Sequence, residues 1–290
     1  MRSMRANPLH VYEDMDPPLK ARLDAVDAQA SFFSPLNVIG RLAMGKWDIQ
    51  FRGEGYWAFV ADGVARIIPP ADKAEYYQAI LAWSEKHTVA FVPTYMADIL
   101  RQRGLRVLKQ QTEYIMDPKK LIGLAGGALR SIRYDRARSE KVATVEKLDP
   151  FVSLGEMIDL VRAWYAEAKD RLWRPSERAH IEWLLENWSQ VLELEPSALC
   201  VGVRDNADGK LLSFEMGSYL SDGYASSFTQ RSDRSRTTGV YAGVNMMASI
   251  ALAGALGRWL NDGPADHKEL AARKARLAIG TVDFYTVASK

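Results

Sequence analysis

Two stretches of the chain combine residue types that can do chemistry. The first runs from Phe228 to Asn245 and reads Phe-Thr-Gln-Arg-Ser-Asp-Arg-Ser-Arg-Thr-Thr-Gly-Val-Tyr-Ala-Gly-Val-Asn, between a strand-like segment and a long apolar helix. A polar turn with Arg234, Arg236 and Gly239 that opens a helix offers unpaired backbone N–H groups, the positive end of the helix dipole and cationic side chains. Together these suit a phosphate or another anion; the same composition also suits a solvated loop. The second stretch is the strand around Glu215, flanked by Leu212, Phe214 and Met216. A carboxylate turned into apolar surroundings has a raised pKa and can take a proton or hold an ammonium group. On the outer face of a sheet it is an ordinary solvated acid. Asp233 is a second candidate acid at the start of the turn. Ser226, Ser227, Thr229 and Gln230 on the strand before it, with Tyr241 and Asn245 at the helix start, can bond the polar groups of a substrate.

Nothing in this set points to a covalent nucleophile. Cys200 is the single cysteine and lies in the apolar run Ala198-Leu199-Cys200-Val201-Gly202-Val203, where a buried inert thiol is expected. An intrachain disulfide and a cysteine-rich metal site are thereby excluded, and no metal is expected. His10, His87, His180 and His267 are scattered through polar segments and read as surface histidines. Direct attack of an acceptor on a bound donor is the simpler mechanism.

The elements that must position these residues follow from length and pattern. The 290 residues suffice for two ordinary domains, and a formal net charge of +2 rules out a general polycation, so any nucleic-acid contact must come from a local patch. No signal peptide or spanning run is visible, which makes the cytoplasm the expected location. A helix is expected over residues 17–34, then a short helix over 36–43. Alternating runs at 47–52, 56–61 and 64–70, joined by glycine turns, read as an antiparallel meander. A helix at 71–86, a strand at 89–93, a helix at 95–103 and a strand at 106–109 complete the first half. The second half repeats the order: helices at 154–171 and 176–191, strands at 199–204, 210–220 and 223–228, a long helix at 240–260, a helix at 268–277 and a strand at 282–287. Two mixed α+β units in tandem describe the chain, divided into residues 1–115 and 116–290. The aromatic residues Trp164, Tyr165, Trp173, Trp183 and Trp188 read as packing within and between the units.

The segment joining the halves carries a resemblance. Glu113-Tyr114-Ile115-Met116-Asp117, then Lys119-Lys120-Leu121, glycines and a basic helix with Arg130, Arg133, Arg136 and Arg138 resemble the middle of the phosphatidylglycerol lysyltransferase C-terminal family. The resemblance extends from about residue 30 to the end. It implies an α+β fold built as a tandem duplication of GNAT-like acyltransferase units, with central mixed sheets flanked by helices, and kinship with Fem-type aminoacyl-tRNA-dependent transferases.

In ordinary GNAT acetyltransferases the loop before the long helix keeps small residues so that its backbone can wrap the pyrophosphate of acetyl-CoA. The matching run here is Arg236-Thr237-Thr238-Gly239-Val240-Tyr241, in which tyrosine replaces the last small residue. Close backbone approach needs a small residue there. The tyrosine therefore weakens the acyl-CoA reading and favours the branch in which this groove takes the aminoacyl end of a charged tRNA. The resemblance implies an acyltransferase with no bound cofactor, using aminoacyl-tRNA as co-substrate and forming an amide or ester on a small-molecule or lipid acceptor. Full lipid synthases of the family carry spanning helices ahead of this module, so a soluble acceptor or a peripheral lipid is expected. An acyl-CoA-dependent N-acyltransferase and a non-catalytic binding protein on the same fold remain the alternatives. The basic clusters Arg130, Arg133, Arg136 and Lys268, Arg273, Lys274 are expected to meet tRNA phosphate or an anionic head group. They fit salt-bridged exposed helices equally well.

Overall fold

The structure, a computed structural model, describes residues 30–45, 48–52, 56–68, 72–167, 174–221, 223–237 and 239–288. The helix expected over 17–34 lies outside these residues up to position 29, and its remainder is a single 3-10 turn, Ser31–Phe33. Helix α1 (Pro35–Ala43) follows, started by the proline and by the Ser34 hydroxyl, which accepts from the Asn37 amide. The meander forms as expected from β1 (Asp48–Arg52), β2 (Trp57–Ala61) and β3 (Val64–Ile68). Then come α2 (Lys73–Ser84), β4 (Thr88–Pro93), α3 (Thr94–Gln102) and β5 (Val107–Met116). The linking region holds α4 (Pro118–Gly123) and α5 (Arg130–Ser139).

The second half opens with β6 (Ala143–Leu148), α6 (Pro150–Glu167), α7 (Arg174–Glu186) and α8 (Trp188–Leu194). Three antiparallel strands follow, β7 (Leu199–Asp205), β8 (Leu211–Ser221) and β9 (Tyr224–Ser232). Helix α9 (Tyr241–Leu256) is shorter than the expected 240–260 because Gly257, at φ +64°, closes it in the left-handed conformation. The released chain pairs as β10 (Trp259–Asn261), and α10 (Lys268–Leu277) and β11 (Gly280–Val287) complete the fold.

Among the described residues eleven strands form one sheet in the order β1-β2-β3-β4-β11-β5-β10-β9-β8-β7-β6. Each half contributes its final strand to the other. β11, from the end of the chain, is antiparallel to both β4 and β5, and β5, from the first half, is antiparallel to both β10 and β11. The split expected after residue 115 falls one residue before the end of β5, inside this exchange. The fold is mixed α+β, one large mixed sheet flanked by helices and shared by both halves of the chain. Among the described residues no helix is long and apolar enough to cross a membrane.

Three apolar clusters cover the sheet. One packs α1, α6 and α7 on one face around Phe214 and Met216, a second packs α9, α4 and α5 on the other, and a third serves α2 and α3. Helix α9 carries Val244, Met246, Met247, Ala248, Leu252, Ala253 and Leu256, all buried, so it is apolar nearly all round and is enclosed by the sheet and by α5. Gly243 permits the closest approach: a Cβ there would stand 2.2 Å from both the Asp135 carbonyl oxygen and Ser139 Oγ. Gly243→Ala is therefore expected to destabilise the fold by about 2–3 kcal/mol through overpacking, read as a lowered urea midpoint with unchanged slope.

Candidate functional site: a buried carboxylate beneath a polar cavity

Strand alternation sends Phe214 and Met216 into the apolar cluster on one face of the sheet and Glu215 to the other, toward α9. Glu215 is 1% exposed. Its partners converge through a bulge: Met216 pairs with Thr229 but Gly217 pairs with Ser227, leaving Phe228 as the extra residue. That insertion puts Ser227 and Gln230 on the same side of β9. Ser227 Oγ donates to Glu215 Oε1 at 2.5 Å, Gln230 Nε2 to Oε2 at 2.6 Å and Ser249 Oγ, from α9, to Oε2 at 2.9 Å. Burial, reinforced by the charge of Asp262, pushes the carboxyl pKa up to about 7, against the pull of the serine hydrogen bonds and of Lys274. The acid is thus neither an open groove residue nor a solvated rim carboxylate. It lies behind the cavity wall and changes protonation near neutral pH.

Ser227, Gln230 and Ser249 also line a cavity of about 630 Å³ between the two halves of the chain. Ser31, Phe32, Arg41, Phe91 and Gln111 come to it from the first half, and β9, α9 and α10 supply most of the remainder. Its walls are charged in both senses, with Arg41, Arg231, Arg234, Arg273 and Lys274 facing Glu177, Asp262, Asp266 and Glu269. Arg231 is 8% exposed. Its Nη2 donates to Tyr165 Oη at 2.7 Å and to Glu177 Oε1 at 3.0 Å, and its guanidinium lies 4.3 Å from the Trp164 ring centre. Arg231 Nε, Glu177 Oε2 and Thr229 Oγ1 are buried without a hydrogen-bond partner. Arg273 donates to the Ala242 carbonyl at 2.9 Å, tying α10 to the start of α9. Lys274 Nζ reaches Asp262 Oδ2 at 3.2 Å and the Pro264 carbonyl at 3.0 Å.

Of the residues singled out in the sequence, Ser227, Thr229, Gln230, Arg234, Tyr241, Asn245, Arg273 and Lys274 line this cavity, with Glu215 beneath it. The others lie elsewhere. Asp233 Oδ1 accepts from Ser235 Oγ at 2.6 Å and from the Arg236 amide at 3.1 Å, folding its own turn. Arg236 Nη2 bridges Asp208 at 2.7 Å and Asp205 at 3.1 Å, which anchors that turn to the β7–β8 hairpin. Gly239, at φ +77°, sits beside the Arg138 guanidinium, outside the cavity lining. In the basic helix, Arg133 donates to the carbonyls of Leu124 and Gly126, and Arg136 to Glu140 and the Ile122 carbonyl, stitching the loop before it. Arg130 and Lys268 are exposed and do not reach the cavity.

The structure also corrects and extends the inventory. His180, expected at the surface, is 3% exposed, with Nε2 3.3 Å from the Leu36 carbonyl oxygen, and desolvation drives its pKa down to about 3, so it is a neutral wall of the cavity. His267 accepts from the Leu270 amide as the cap of α10 and lines the cavity as well. Trp164, expected as packing, underlies Arg231. Glu177 and Asp262 carried no signal of their own, and Arg231 and Glu113 stood in quoted stretches without an assigned role, because each acquires its role from residues far along the chain.

A family comparison decides the lineage: the phosphatidylglycerol lysyltransferase C-terminal family matches residues 45–261, well over half of the chain. The protein belongs to this family. A conserved protein of unknown function from Bacteroides thetaiotaomicron VPI-5482 has the same fold, with a TM-score of 0.77 at 17% identity over 97% of each chain. L-PGS from Bacillus licheniformis aligns with a TM-score of 0.64 at 13% identity, covering 95% of this chain and 92% of that one. FemX aligns with a TM-score of 0.53 at 11% identity, over 98% and 97%. At these identities the likeness is one of fold. No curated protein matches the chain in sequence. Family and fold together make the protein a transferase of the acyltransferase type.

The raised pKa of Glu215 has a thermodynamic sign. Between the ordinary carboxylate range and about 7 the folded protein holds a proton that the unfolded chain has lost. The contribution is fully present below that range and disappears as pH rises through about 7. Wild-type unfolding free energy should therefore fall by about 3 kcal/mol more than that of Glu215→Gln between pH 4 and 8, measured by urea titration at several pH values.

Proposed function

We propose that the cavity transfers an aminoacyl group from aminoacyl-tRNA to an amine or hydroxyl of a small-molecule or lipid acceptor by direct attack. The observation that carries this reading is Glu215, a proton-exchanging carboxyl linked by Ser227 and Ser249 to a charged cavity. The acceptor nitrogen or oxygen attacks the ester carbonyl of the donor, and its proton passes through a serine hydroxyl to the Glu215 carboxylate. The bond to the ribose oxygen then breaks, and that oxygen takes up the proton on leaving. A cationic side chain of the wall such as Arg231 can balance charge developing on the carbonyl oxygen. The acidic side chains Asp262, Asp266 and Glu269 suit an ammonium group, and the guanidinium groups suit a phosphate. The family name makes lysine the first amino acid to test and a phosphatidylglycerol-like lipid the first acceptor.

Tyr241 supports a tRNA donor over coenzyme A. It is the first residue of α9, lines the cavity and has the Arg234 guanidinium 5.7 Å from its ring centre, so a side chain stands where backbone would have to meet a diphosphate. The acyl-CoA reading draws on Gly239, kept in the left-handed conformation just ahead of that helix.

The test is incubation with charged tRNAs carrying labelled amino acids and a panel of amine, hydroxyl and lipid acceptors, with products identified by mass. Formation of a conjugate that RNase abolishes is expected; release of free CoA from an acyl-CoA donor would favour the alternative. Glu215→Gln should lower kcat by about two to three orders of magnitude while leaving the circular dichroism spectrum unchanged. Full turnover in that variant would remove Glu215 from the mechanism.

A further inference from the structure

Glu113 is the other fully buried carboxylate of the seam, on β5 where the halves exchange strands, and it is 0% exposed. Four donors saturate it. Oε2 accepts from the Ser31 amide at 2.8 Å and from Asn261 Nδ2 at 2.6 Å; Oε1 accepts from Ser31 Oγ at 2.9 Å and from Gln111 Nε2 at 2.5 Å. Burial pushes its pKa up and these hydrogen bonds pull it back, with no charged neighbour contributing. Two of the partners are the first residues of separate cavity walls. Ser31 begins the 3-10 turn that carries Phe32, whose ring stacks on Phe91 at 4.1 Å. Asn261 Oδ1 in turn accepts from the Gly263 amide at 2.9 Å and so shapes the 261–264 turn, which presents Asp262. The turn is also tied to β5 by the Asp262 amide, which donates to the Tyr114 carbonyl at 3.0 Å, and it lies beside the other turn, since a Cβ built on Gly263 would stand 3.4 Å from Ser31 Oγ.

We infer that Glu113 is a positioning residue: its carboxylate clamps the Ser31–Phe33 turn to the 261–264 turn and so sets the spacing of the two walls and the place of Asp262. Its importance to catalysis rests on the reading of this cavity as the transfer site; the clamp itself does not. A saturated carboxylate suits the task. Each oxygen holds two donors at fixed angles, and its burial makes any loss of a partner costly, so the two turns move together. Asp262 then bears on the chemistry, because it is the acidic neighbour of Glu215, whose remaining surroundings are Ser227 and Gln230 of β9, Ser249 of α9 and Lys274 of α10.

The experiment compares the full chain with Glu113→Gln and Asp262→Asn by amide hydrogen exchange and by carbon NMR titration of labelled glutamate carboxyls, the Glu215 signal being assigned through Glu215→Gln. A glutamine at 113 must turn an NH2 group toward two donors. Exchange at the Ser31 and Gly263 amides should then quicken about tenfold or more while the β5 amides keep their protection. The Glu215 midpoint should fall from about 7 toward the value in Asp262→Asn, a change that general loosening of the fold would not produce. Wild-type exchange at both turns, or an unmoved midpoint while Asp262→Asn shifts it, would overturn the clamp. If Glu113→Gln does not fold, Ser31→Ala removes one bond and no charge, and unmoved values in it overturn the clamp equally. Neither readout needs a substrate. Failure of transfer with every donor would thus remove the proposed function and leave the clamp standing, whereas failure of these readouts would remove the clamp alone.

Discussion

The structure depends on the exchange of final strands between its halves. β11 fills the place beside β4 that β5 would occupy in a self-contained unit, and β5 fills the corresponding place beside β10. Backbone hydrogen bonds must be paired when buried, so neither half can complete its sheet alone. The exchange also brings the start of the first half and the end of the second to one seam. Ser31, Gln111, Asn261 and Lys274 meet there although their positions in the chain span most of its length. The cavity is a product of that topology rather than of any local motif.

Two buried glutamates on this framework show how environment assigns different tasks to one residue type. Glu113 is held by four neutral donors, with no charged group among the causes of its shift, which suits a fixed joint. Glu215 has three donors and a nearby acid in Asp262, and its proton is exchanged near neutral pH. The difference lies in what the surrounding turns and strands present, since both residues stand on central strands and both are desolvated. Between them lies the 261–264 turn, bonded to the first glutamate through Asn261 and acting on the second through the charge of Asp262.

Much of the fold is legible in the chain because its signals are local. Period-two runs broken by glycine turns give the meanders, and Asp-Gly and Pro punctuation marks their ends. The Glu-Tyr-Ile strand and the Lys-Lys-Leu helix start carried the family resemblance. The site was legible in part. Glu215, Gln230 and Tyr241 stood out by type and setting, and the structure gathers them at one cavity. Asp233, Arg236, Arg133 and Arg136 had equally suggestive types but bond within their own turns and to neighbouring loops, away from the cavity. Whether a charged side chain ends within its own turn or at the cavity is settled by distances no local pattern encodes.

By itself the sequence determined the succession of helices and strands, the kinship with a tandem acyltransferase family and the carboxylate set among apolar neighbours on β8. The first and the last follow from backbone stereochemistry and from the spacing of apolar residues within a few turns of chain; the kinship rests on the resemblance carried by the segment around Glu113 to Arg138. Only the tertiary structure decided that the last strands change places, that Phe228 bulges to bring Ser227 beside Glu215, and that burial, reinforced by Asp262, raises the Glu215 pKa to about 7. Each of these depends on groups remote in sequence. Electrostatic and hydrogen-bond energies fall off over a few ångströms, so they act only after the fold has set those distances.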